Sequence, residues 1–262
     1  MRELVVDLGA EQERLDVRLR SLPDRDWEAA SAAEGWSVRD CVSHLAQFED
    51  DALRALRDPH GFAERVQRAT DDPAGYLAAG LDRGRSLSPD GVRTWWRDSR
   101  SAAADELGRC DPRQRVPWFG PSMSARSCAT ARLMETWAHG LDVFDVTGGS
   151  PAEGDQLRHV ALLGCLTRVH SYRVRGLEAP AVDVRVEVDL PSGAPWSHGP
   201  AGAEQRVRGS VGEFCAVVTQ RRHVDDTALV ADGDAAVEWL HLAQAFAGAP
   251  TSGPSSRRAV QL

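Results

Sequence analysis

Apolar residues recur at helical spacing through most of the first 150 positions. Leu4, Val5, Leu8, Leu15, Val17 and Leu19 predict a helix over 4–22, which Pro23 ends. Ser37 with Asp40 three residues later makes a capping-box-like start. Val38, Cys41, Val42, Leu45, Phe48, Leu53 and Leu56 then mark the inward face of a second helix reaching Arg57. Asp58-Pro59-His60-Gly61 breaks it, and a weaker helical stretch follows over 61–84. Ser88-Pro89 opens a further helix to about Gly108, since proline suits the first turn. After a loop over 111–121, Ser124 opens a helix that stops at Gly148-Gly149. Leu133, Met134, Trp137, Ala138, Leu141, Val143 and Phe144 make this segment apolar almost all round, the pattern of a buried helix. One more helix is expected over 154–174.

The period changes after Pro180. Val182, Val184, Val186 and Val188 alternate with Asp183, Arg185, Glu187 and Asp189, as in a half-buried strand. Short strands over 196–200 and 205–209, a helix over 213–220, a strand over 228–231 and a helix over 234–246 complete the pattern. Residues 249–262, rich in Gly, Pro and Ser, read as a disordered tail. The expected fold class is α+β: a helical bundle over 1–176, then a small α+β domain over 177–248.

Composition narrows the function. A chain of 262 residues with 42% hydrophobic content suits a soluble globular protein of one large or two modest domains. No apolar run approaches eighteen residues, and the first residues lack a signal peptide's apolar core, so a cytoplasmic location is expected. A formal net charge of -8 disfavours a general nucleic-acid scaffold. The five cysteines are scattered and form no C-x-x-C, which reads as buried small residues in a reducing compartment. The absence of Lys, Asn and Ile reflects a GC-rich coding sequence and says nothing of mechanism.

The chemistry-bearing pattern lies inside the buried helix. Glu135 and His139 are four residues apart, so they share one face. Such a pair is common on exposed helices, but in an apolar helix both groups need partners. A cation is one partner, if a second helix supplies another imidazole. His44, in the second helix, is the candidate. Two His and one Glu form a common donor set for Zn²⁺ with a position open to water or substrate, and bundles build such sites from facing helices.

The stretch Gly35-Trp36-Ser37-Val38-Arg39-Asp40-Cys41-Val42-Ser43-His44-Leu45 resembles the signature of the DinB-like superfamily, and more closely the N-terminal domain of mycothiol-dependent maleylpyruvate isomerases. Glu135-Thr136-Trp137-Ala138-His139-Gly140-Leu141-Asp142 resembles their E-x-x-x-H-G-x-D segment. Residues 209–221 are similar to that family's second domain. Pro117-Trp118-Phe119-Gly120-Pro121 and 218–223 resemble an actinobacterial subgroup. The resemblance implies a DinB-like up-and-down four-helix bundle, with a divalent metal on His44, Glu135 and His139. It also implies mycothiol as a low-molecular-weight thiol cofactor, a small-molecule substrate, and an Arg near Arg221 that holds a substrate carboxylate.

Other residues have weaker claims. Asp142 shares the face of His139 and is expected to orient a ligand or to act at the metal. Gln47, one turn after His44, and Trp118, in a loop between two prolines, are candidates for the cofactor-binding wall. Cys41 lies one turn before His44 and reads first as packing. His170, His198, His223 and His241 show no ligand spacing with one another. Three functions follow: a metal-dependent isomerase or thiol transferase, a thiol-independent metal-dependent hydrolase or cyclase that tailors a natural product, and a non-enzymatic metal- or ligand-binding module.

Overall fold

A computed structural model describes residues 1–149 and 153–257. The chain forms two compact units, Met1–Pro151 and Ala152–Leu262. The boundary falls some 25 residues before the position 176 read from the sequence: the helical segment after Gly154 belongs to the second unit, because it buries its apolar face there.

In the first unit, α1 (Arg2–Arg20), α2 (Val38–Arg57), α5 (Pro89–Arg109) and α6 (Ala125–Thr147) make a four-helix core. The α2 start is the expected capping box: Ser37 accepts from the Asp40 backbone, and the Asp40 carboxylate accepts from the Ser37 N–H at 3.0 Å. Leu15, Leu19, Trp27, Val38, Val42, Leu45, Val92, Trp96 and Val143 pack as one cluster between these helices. Residues 61–84, expected as one weak helix, are two: α3 (Pro59–Asp71) and α4 (Pro73–Arg85). Asp58 and Asp72 each precede a proline and cap the helix that follows, accepting from Gly61 and Gly75. α4 lies close on α2 because Gly80 and Gly84 face Gln47 and Ser43. A Cβ at Gly84 would fall 1.8 Å from the Ser43 hydroxyl.

The expected loop over 111–121 holds a hairpin instead, β1 (Arg115–Trp118) paired antiparallel with β2 (Gly120–Ser124). Ser124 then caps α6, and Gly148 at φ 79° ends it. α6 is buried on nearly every side, as its composition implied.

The second unit begins with α7 (Leu157–Leu166) and α8 (Arg168–Arg173), which divide at Thr167 the single helix expected over 154–174. The sheet runs in the order β4 (Pro195–His198), β3 (Val184–Asp189), β5 (Gln205–Ser210), β6 (Val230–Asp232), with β3 and β5 parallel and both edges antiparallel. Val186 and Val188 point inward as the alternation required, and Val182 stays outside the strand, half exposed. α9 (Val211–Val218) and α10 (Asp234–Leu242) cover the sheet, with Phe214 against Trp239.

The expected disordered tail is corrected in part. Arg175 and Gln220 donate to the Thr251 carbonyl, and the Arg257 N–H donates to the Asp226 carboxylate at 2.9 Å, so residues 251–257 are tied to the second unit. Residues 258–262 lie outside the described residues.

Candidate metal centre

His44 and Glu135 come together from α2 and α6. His44 Nε2 lies 3.3 Å from Glu135 Oε2, and His139 Nε2 lies 3.5 Å from the same oxygen. The two imidazoles are 4.8 Å apart between ring centres, edge to face. One nitrogen from each histidine and one Glu135 oxygen thus lie within 4.8 Å of one another. The i,i+4 spacing on α6 sets the Glu135–His139 half. Packing of α2 on α6 brings in His44.

The surroundings hold the donors in usable states. Burial alone would raise the Glu135 carboxyl. Hydrogen bonds from His139 and then His44 outweigh it and hold the group well below the usual carboxylate range. Burial lowers His44 to about 4, with the Glu135 hydrogen bond acting against it, so the imidazole is neutral at pH 7. His139 Nδ1 sits 3.0 Å from Asp142 Oδ2, one turn on along α6. That contact orients the ring so that Nε2 faces Glu135. Asp142 is fully buried and positions His139. Two imidazoles and one carboxylate facing one point are a donor set that a divalent cation takes once the facing ring nitrogens give up their protons; the donor set fits the ion.

An aromatic wall closes round the cluster. Trp36 stacks on His139 at 5.6 Å and 13°, and Phe48 lies 4.5 Å from the His44 ring. The contact of Trp36 with His139, about a hundred residues on, has no local sequence signal. Cys41, also buried, forms a second donor group with His139 and Asp142, and its thiol lies 3.4 Å from the Ser31 hydroxyl.

Trp118 is half-buried in β1, stacked on Phe62 at 5.9 Å with the Arg132 guanidinium 5.2 Å over its ring. It meets Phe48, which packs on the His44 ring, at 6.3 Å. Gln47 turns to the neighbouring face of α2. Its amide donates to the Tyr76 carbonyl at 2.9 Å, and it lines a cavity of about 520 Å³ with Asp50, Arg65, Tyr76, Arg83 and Trp95. Arg221 stands in the second unit, just past α9. Gln220 at φ 58° turns the chain so that the Arg221 N–H reaches the Ala216 carbonyl at 2.7 Å, and its guanidinium donates to the Thr219 carbonyl. Of the candidate residues, the structure joins His44, Glu135, His139 and Asp142; Gln47 and Trp118 stand apart from that cluster within the first unit, and Arg221 belongs to the second unit.

A four-helix bundle of DinB-like type, carrying a buried His-Glu-His group and followed by a small α+β unit, defines the class. Residues 8–144 match the family model described as the mycothiol maleylpyruvate isomerase N-terminal domain, and the chain belongs to that family. Two proteins of Mycobacterium tuberculosis are each 43% identical to it over 249 residues, which is 95% of this chain and 97% of theirs: Uncharacterized protein MT0041 (strain CDC 1551 / Oshkosh) and Uncharacterized protein Rv0036c (strain ATCC 25618 / H37Rv). Crystal structures of the mycothiol-dependent maleylpyruvate isomerase and of a histidine-to-alanine mutant of it are similar in fold. Each has a TM-score of 0.59, at 16% and 15% identity, over 88% of this chain and 92% of theirs. Among the described residues no helix is long and apolar enough to cross a membrane.

Proposed function

We propose that the chain is a divalent-metal-dependent enzyme, an isomerase or thiol transferase, that uses mycothiol or a similar small thiol on a small electrophilic substrate. The observation that carries this reading is the convergence of His44, Glu135 and His139, with Asp142 behind His139. In this reading the three side chains hold one cation, Zn²⁺ best matching two imidazoles and a carboxylate. When bound, such an ion supplies Lewis acidity that lowers the pKa of a thiol or polarises a substrate oxygen.

The chain's own residues set the conditions for that chemistry. Glu135 contributes the negative charge and stays ionised. Asp142 orients the His139 ring. Trp36 and Phe48 keep bulk water from the imidazoles, which strengthens the electrostatics of the site. Trp118, through Phe48, supports that wall, and Gln47 is assigned to the polar body of the cofactor. Arg221 is assigned to a substrate carboxylate, for which a guanidinium offers a bidentate fork.

The test is turnover of the zinc-loaded protein on a panel of unsaturated dicarboxylates and other electrophiles, with and without mycothiol. The reading expects turnover that requires both metal and thiol. Full turnover without any thiol would reject the thiol step and favour the hydrolase or cyclase function. Turnover that survives metal removal would reject the metal.

A further inference from the structure

The second unit brings together two histidines that the sequence left unrelated. His223 precedes the short turn Val224–Asp226 and caps it, and His241 lies near the end of α10. Their rings are 5.6 Å apart, edge to face. Asp225 stands between them. Its Oδ2 is 3.5 Å from His223 Nδ1 and its Oδ1 is 3.7 Å from His241 Nε2. One donor atom from each of the three lies within 4.8 Å of the others.

The backbone assigns the tautomer of both rings. His241 Nδ1 lies 2.9 Å from the Val237 carbonyl, which can only accept, so that nitrogen carries the proton and Nε2 carries the lone pair. His223 Nδ1 accepts the Asp225 N–H at 3.2 Å, so this nitrogen carries the ring's lone pair and Nε2 the proton. The His241 Nε2 lone pair therefore faces the Asp225 carboxylate with no proton between them, while the His223 lone pair lies beside the same carboxylate on the Asp225 N–H. The separations are too long for charge-assisted hydrogen bonds, which run about 2.7–2.9 Å. They are close to the ligand-to-ligand spacing of a tetrahedral site, about 3.4 Å for metal–donor distances of about 2.0–2.1 Å. A cation resolves the juxtaposition of acceptors. At His223 Nδ1 a cation and a proton alike displace the Asp225 N–H, but one cation serves all three acceptors at once where one proton serves two at most.

We propose that His223, Asp225 and His241 form a second divalent-metal site, separate from the triad on α2 and α6. Imidazole and carboxylate donors suit Zn²⁺, Co²⁺, Ni²⁺ or Cu²⁺ rather than Mg²⁺ or Ca²⁺. All three residues are at least partly open to solvent, so water completes the coordination. The site would clamp the turn to α10. The neighbouring Asp226 already holds the backbone of Arg257 and the hydroxyl of Ser256, so the clamp also secures the chain's last described segment.

The test counts bound metal in the full chain. Zn²⁺ alone is equilibrated by dialysis with the wild type, with His241→Gln and with His223→Asn, each also in a Glu135→Gln background. His241 is half exposed on its helix and asparagine is a good N-cap, so both substitutions keep the fold, which circular dichroism checks. The expected result is the loss of one zinc equivalent with either substitution, in both backgrounds, and loss of the zinc-induced rise in unfolding temperature that this site provides. Zinc content equal to that of the parent in either histidine variant overturns the proposal. The Glu135→Gln background separates this outcome from any failure of the triad, because each site is counted with the other impaired.

Discussion

His139 Nδ1 and Asp142 Oδ2 are 3.0 Å apart across one turn of α6, and this contact points His139 Nε2 at Glu135. Carboxylate–histidine contacts of this kind typically contribute 10- to 100-fold to metal affinity. Asp142→Ala is therefore expected to weaken zinc binding at the triad by about 10- to 100-fold while the bundle stays folded. Competition with a chromophoric chelator reads the affinity; an unchanged value would remove the positioning role.

His139→Ala is expected to abolish tight zinc binding at the triad and, with it, activity. The first unit has a large apolar core through Leu15, Leu45, Trp96 and Val143, so it does not depend on an ion to fold, unlike a zinc finger. Far-ultraviolet circular dichroism and a cooperative melt should survive the substitution. An unfolded variant would make the site structural.

Gly84→Ala sets two effects against each other. Replacing glycine inside a helix gains about 1 kcal/mol from propensity. The new Cβ, however, would lie 1.8 Å from Ser43 Oγ and 2.6 Å from Ser43 Cβ, and Ser43 is wholly buried. Forcing extra volume into a packed interface costs about 1–3 kcal/mol. The net expectation is destabilisation of up to about 2 kcal/mol, read from urea unfolding. A stabilised variant would show that α4 can move off α2 at little cost.

Glu49 gives a pH signature away from the triad. Burial raises its carboxyl to about 7, against the charge of Arg132 and the Gln12 hydrogen bond at 3.1 Å. The folded state therefore holds a proton that the unfolded state releases near pH 4.5. The stabilisation from this proton is fully present below pH 4.5 and is lost as pH rises through about 7. The stability of wild type minus that of Glu49→Gln should fall by on the order of 2 kcal/mol between pH 4.5 and 8. A difference that stays flat with pH would contradict the raised value.

What the sequence disclosed follows from which signals are local. The capping pair Ser37–Asp40 and the apolar spacing on α2 fix that helix from within its own residues. The same holds for Ser124 and Gly148 on α6, and the four-residue spacing of Glu135 and His139 placed both on one face. Asp72-Pro73 carried the same helix-start signal as Asp58-Pro59, yet the low apolar content around it made 61–84 read as one weak segment. The β1–β2 hairpin has strands of four and five residues with prolines in each, too short for a period-two pattern. Contacts between distant segments had no sequence signal at all. Trp36 on His139 depends on where the chain enters α2, and His223 meets His241 only because the turn folds back on α10.

The central claim is that His44, Glu135 and His139 hold one divalent ion. Its most direct test is a crystal structure of the zinc-loaded protein with data collected at the zinc absorption edge. The expected result is an anomalous peak about 2.0–2.2 Å from one nitrogen of His44, one nitrogen of His139 and an oxygen of Glu135. At full zinc loading, no peak at these three residues, or a peak on Cys41, His139 and Asp142 instead, would contradict it.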